Sequence, residues 1–130
     1  MAVTTELVGK LGGGVEWHTE VFNPLSITAN EVKKTLTPTA GKVILASAEV
    51  TTISVSNERF GNVVLQSPHG LFANGSYSNS SLYCQVRSSH IGVKATIWLA
   101  SDTRVELAVS PPYQGTAVAS VTLRWCEVDL

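Results

Sequence analysis

Residues 81–128 read SLYCQVRSSHIGVKATIWLASDTRVELAVSPPYQGTAVASVTLRWCEV, and this stretch decides the fold. Apolar and polar residues alternate through four segments of it. The inward sets are Leu82, Cys84 and Val86; then Ile91, Val93, Ala95, Ile97 and Leu99; then Val105, Leu107 and Val109; and last Ala117, Ala119, Val121, Leu123 and Trp125. Side chains of a strand point alternately to opposite faces, so a period of two marks strands buried on one side. A two-residue turn at Ser89-His90 sets Val86 opposite Val93, Cys84 opposite Ala95 and Leu82 opposite Ile97. A three-residue loop at Ser101-Asp102-Thr103 sets Leu99 opposite Val105 and Ile97 opposite Leu107, and SPPYQG supplies a wider turn. The four segments therefore predict an antiparallel meander.

Upstream the pattern is less regular. NVVLQ is a short strand ending at Ser67-Pro68. In KVILASAEVTTISVS the apolar parity switches: Val43 and Leu45 are odd, Ala46, Ala48 and Val50 even, and Ile53 and Val55 odd again. A strand buried on both sides or a β-bulge accounts for such switching. VEWHTEVF alternates too, with Val15, Trp17 and Val21 expected on the buried face and Glu16, His18 and Glu20 on the other. Around ANEVKKTL a short helix and a strand near Val32 to Leu36 are both compatible with the residues. Val, Ile and Thr make up 35 of the 130 residues, a composition that favours strands. The expectation is one all-β domain over 15–130, an antiparallel β-sandwich of jelly-roll type. It is preceded by an arm over 1–14, where apolar Val3 to Val8 is followed by the joint LGGG at Leu11 to Gly14.

Composition narrows the function classes. Charged residues are 15% of the chain and the net charge is −1, with Lys and Arg scattered apart from Lys33-Lys34. The basic footprint of nucleic-acid binding is missing. No apolar run reaches the ~20 residues of a membrane-spanning helix. MAVTTELVGKLGGG has neither the basic start nor the apolar stretch of a secretion leader, so synthesis in the cytoplasm is expected. In that compartment Cys84 and Cys126 read as free thiols. NGS at Asn74 and NSS at Asn79 fit the glycosylation acceptor pattern, but that modification needs a secretory route. Asn74-Gly75 is also a favoured hairpin pair.

Catalytic chemistry finds little support. The chain has two aspartates, Asp102 and Asp129, and eight dispersed glutamates. His18, His69 and His90 have no metal-ligand spacing, and two cysteines 42 positions apart do not make a zinc site. Nucleophile-elbow, phosphate-loop and dinucleotide motifs are absent. We therefore expect no enzyme, no cofactor and no metal. The candidate binding residues are aromatic: Phe72 and Tyr77 among the small polar residues of SPHGLFANGSYSNSS, Tyr83, Trp98 on the outward face of its strand beside Lys94 and Thr96, and Tyr113 in SPPYQG.

The opening MAVTTELVGKLGGG, followed by a small, Val/Thr-rich, charge-poor all-β body, resembles the minor tail or fibre-associated structural proteins of tailed bacteriophages. That resemblance implies a virion component made in the host cytoplasm, working as a symmetric homo-oligomer against other virion proteins. Contact would come from the apolar arm and from outward aromatics such as Trp98. The alternative is a carbohydrate-binding module, in which the same five aromatics stack on sugars such as a host surface glycan.

Overall fold

The computed structural model describes residues 15–73, 77–78 and 81–129, the side chains of 77 and 78 excepted; the arm over 1–14 and both acceptor asparagines lie outside the described residues. Ten strands follow one another: β1 (His18–Ile27), β2 (Glu31–Leu36), β3 (Lys42–Val55), β4 (Phe60–Gln66), β5 (Gly70–Ala73), β6 (Tyr77–Ser78), β7 (Ser81–Arg87), β8 (Lys94–Ser101), β9 (Val105–Ser110) and β10 (Ala117–Asp129). They form two antiparallel sheets packed face to face. Sheet A has the order β1-β10-β3-β8-β5 and sheet B the order β2-β9-β4-β7-β6. With the short β5 and β6 set aside, the other eight strands have the two-Greek-key order of a jelly roll.

The expected meander is not there. β7 pairs with β4 and β6, β8 with β3 and β5, and β9 with β2 and β4. Each connection from β7 to β10 carries the chain from one sheet to the other, the first through a 3-10 turn at Ser88–His90. Most of the inward sets are nonetheless those of the sequence: Leu82, Val86, Leu99, Val105, Leu107, Ala119, Val121 and Leu123 are all buried. Ile91, Val93 and Ala95, expected inward with them, are instead exposed: Ile91 and Val93 lie in the connection ahead of β8, and Ala95 lines a cleft where the two sheets part. Alternation fixes which side chains face the interior. It is silent on whether the next strand adjoins in the same sheet or faces it from the opposite one, because both inner faces share one core.

β3 contains both features that a switching parity allows. Near its start Ile44 and Ala46 face the main core while Val43 and Leu45 are buried on the outer face. Near its end the pairing with β10 shifts, Val118 lying opposite Ser54 but Ala119 opposite Thr52, so Ile53 is the extra, exposed residue. ANEVKKTL contributes a strand, with a register shift between Val32 and Lys34. In β1 the expected faces are reversed. Val21 is exposed, and Phe22 packs on the core. A register shift between Phe22 and Leu25 then brings Leu25 and Ile27 inward. Edge position and that shift override the simple alternation of VEWHTEVF.

Fully buried Leu65, Leu82, Leu99, Leu107 and Leu123 from the two sheets fill the interior. Each contributes about 1.5–3 kcal/mol by leaving water. A smaller cluster, Val43, Leu45, Ala100, Cys126 and Val128, sits on the outer face of sheet A with Val15, Leu71 and Trp98 packed against it.

Candidate functional site

The outer face of sheet B is built by the polar half of the same alternation. On β4 the outward residues are Phe60, Asn62, Val64 and Gln66, and on β7 Ser81, Tyr83, Gln85 and Arg87. Pairing places Phe60 beside Arg87, Asn62 beside Gln85, and Val64 beside Tyr83. Val64 continues across the sheet to Ala108 on β9 and then Val32 on β2. This row floors a groove of 430 Å³ whose ends carry Gln66 and Ser110. Tyr83 is 52% exposed and Phe60 41%. The Arg87 guanidinium lies 5.5 Å from the Phe60 ring centroid, and its Nη1 donates to Gln85 Oε1 at 3.0 Å. Tyr113, 68% exposed, lies at the Phe60 end of this sheet, where Asn57 Nδ2 donates to its carbonyl and the Arg59 guanidinium lies 5.7 Å from its ring.

The five aromatics picked from the sequence do not share one surface. Tyr83 and Tyr113 belong to sheet B and its loops. Phe72 is exposed on β5, at the edge of sheet A. The side chain of Tyr77 lies outside the described residues. Trp98 does face outward from sheet A, but the Val43/Leu45/Cys126 cluster half-buries it, and it is not the open platform expected of it. It is also remote from Tyr83 in the fold, because the two strands lie in different sheets.

A second cleft, of 290 Å³, opens between the sheets where β7 and β8 diverge. Val50, Thr52, Tyr83, Cys84, Gln85, His90, Val93, Ala95 and Ile97 line it. Burial raises the Cys84 thiol above its ordinary value of 9.0 and pushes the Cys126 thiol to about 11. Both cysteines are free and protonated at neutral pH, poor nucleophiles and poor metal ligands.

One pairing was invisible in the sequence. His69 Nδ1 lies 2.8 Å from Asp102 Oδ1, although the two residues are 33 positions apart. Beneath them Ser67, Ser101 and Thr103 join their hydroxyls at 2.7–2.9 Å. Ser101 Oγ donates to the His69 carbonyl at 2.6 Å, so its own proton is committed to that oxygen. It must then accept from the Ser67 hydroxyl and from the Thr103 N–H at 2.9 Å. The arrangement pins the β4–β5 connection to the β8–β9 turn. No group of three His, Cys, Asp or Glu that could hold a metal exists among the described residues. No family model matches this sequence, and neither a curated protein nor a solved structure matches it significantly.

Proposed function

We propose that this chain is a non-enzymatic structural or attachment protein of a virion that works as a homo-oligomer. The observation that carries the reading is an apolar surface at one end of the sandwich. Ile91 bridges to Thr52, Gly92 N donates to the Thr52 carbonyl at 2.9 Å, and exposed Ile53, Ile91 and Val93 surround that junction. Exposed aliphatic side chains gathered around one junction are what a contact between protein subunits uses. Trp98 is too far covered to supply the affinity first ascribed to it. Viral capsid and lectin domains both use jelly rolls, an analogy of architecture that agrees with this reading.

Light scattering on the full chain at micromolar concentration tests it. The expected result is a stable oligomer that Ile91→Asp disperses while the fold survives. A monomeric wild-type chain ends the proposal.

A further inference from the structure

We propose that the outer face of β4 and β7 binds a saccharide bearing a carboxylate. Along this strand pair the outward side chains run aromatic, carboxamide, aromatic: exposed Tyr83, then half-buried Asn62 beside exposed Gln85, then exposed Phe60 beside half-buried Arg87. Tyr83 and Arg87 are four residues apart on β7, a span of about 14 Å at ~3.4 Å per residue, which suits a short oligosaccharide. The apolar C–H face of a pyranose stacks on a phenol ring, whose π-face is electron-rich. Neighbouring sugar hydroxyls both donate and accept, which is what carboxamides do. Among the described residues the Asn62 carboxamide has no hydrogen-bond partner, and Arg87 takes up only the carbonyl oxygen of Gln85. The pair therefore presents amide groups to whatever lies over the strands.

Charge sets the ligand class. Lys33, Lys34, Lys42, Lys94 and Arg104 each have a carboxylate within 4.0 Å. Arg59, Arg87 and Arg124 have none among the described residues; Arg124 is on β10 of the other sheet, whereas Arg87 and Arg59 both stand at the Phe60 end of this face, near Phe60 and Tyr113. Arg87 spends one Nη1 donor on Gln85, and the remaining N–H groups of a guanidinium suit recognition of a carboxylate. The sugar acid then sits at the arginine end and a pyranose ring on Tyr83. This inference does not rest on the assembly reading, whose surface at Ile53, Ile91 and Val93 adjoins this face at the cleft that Tyr83, Gln85 and Val93 share.

The test is retention of the full-length protein on an immobilised array of uronic-acid-bearing, sialylated and neutral oligosaccharides, with acidic peptides alongside. The expected result is retention on acidic saccharides over their neutral counterparts. Tyr83→Ala and Arg87→Ala should each weaken it about tenfold, while Tyr83→Phe retains it. Phe72→Ala, on the other sheet, should bind as wild type, and thermal melts verify that each variant is folded. No retention on any acidic saccharide, equal retention on neutral ones, capture of the peptides instead, or wild-type binding by folded Tyr83→Ala each overturns the proposal. An oligomer that retains no glycan ends this inference alone, whereas a monomer that retains acidic glycans ends only the assembly reading.

Discussion

Replacing Ser101 by Ala removes one oxygen at the join between two connections. Ser101 is fully buried, donates to the His69 carbonyl, and accepts from the Thr103 N–H and a neighbouring hydroxyl. Each such bond contributes about 1 kcal/mol net, and a buried group left without a partner costs about 1–3 kcal/mol more. His69 O and Thr103 N both lose their partner, while Ser67 and Thr103 keep each other at 2.9 Å. The sum is about 3 kcal/mol, less than three independent bonds plus two orphans because the remaining hydroxyls can reorient. For a chain of this size roughly 3–4 °C accompany each kcal/mol, so Tm should fall by about 10 °C. Urea and thermal unfolding followed by circular dichroism measure it, with exposed Ser54→Ala as the control, expected within about 0.5 kcal/mol of wild type. A Ser101→Ala cost as small as the control's would refute the hydroxyl arrangement and the pinning drawn from it.

Two further outcomes follow from single positions. A Cβ at Gly61 would lie 2.7 Å from the Ser110 carbonyl oxygen and 3.1 Å from Pro112 Cδ, so Gly61→Ala should destabilise by about 1–3 kcal/mol, read as a lower urea midpoint with unchanged slope. Cys126, with its folded-state value raised to about 11 from 9.0, favours the native state while neutral. Its contribution is constant below about pH 9 and declines as pH rises towards 11, a decline that Cys126→Ala should flatten in pH-dependent melts.

The sequence carried the fold class and most of the interior, because burial imprints a period of two whatever the pairing; Val21, Ile91, Val93 and Ala95 kept that period yet lie exposed, at a sheet edge or where the two sheets part. Partners were another matter. Leu82 facing Ile97 looks the same on paper whether β7 and β8 exchange hydrogen bonds or face each other across a core, and short connections at 88–93 and 102–104 serve either. Asn62, Gln85 and Phe60 escaped notice for the same reason: two polar half-strands become a surface only once β4 is known to lie beside β7. Tyr83 and Tyr113 could be found as isolated aromatics at polar-parity and turn positions. Trp98 does lie on the outward side of its strand, but the cover over it comes from Val43, Leu45 and Cys126, on strands whose place beside β8 in the sheet alternation does not reveal. His69 with Asp102 leaves no local trace at all.

The place of β10 between β1 and β3 bears on how the chain is made. Nearly all of β1 and β3 aligns with this last strand, from His18 opposite Trp125 to Lys42 opposite Asp129. A ribosome emitting the chain therefore releases two long ribbons before the neighbour they share. Closing such distant pairings is slow, on the order of milliseconds to seconds for all-β folds. Until then the nascent polypeptide holds an unfilled slot that a homologous segment from an adjacent nascent chain could also enter, so crowding on polysomes would favour exchanged dimers over refolding from dilute denaturant.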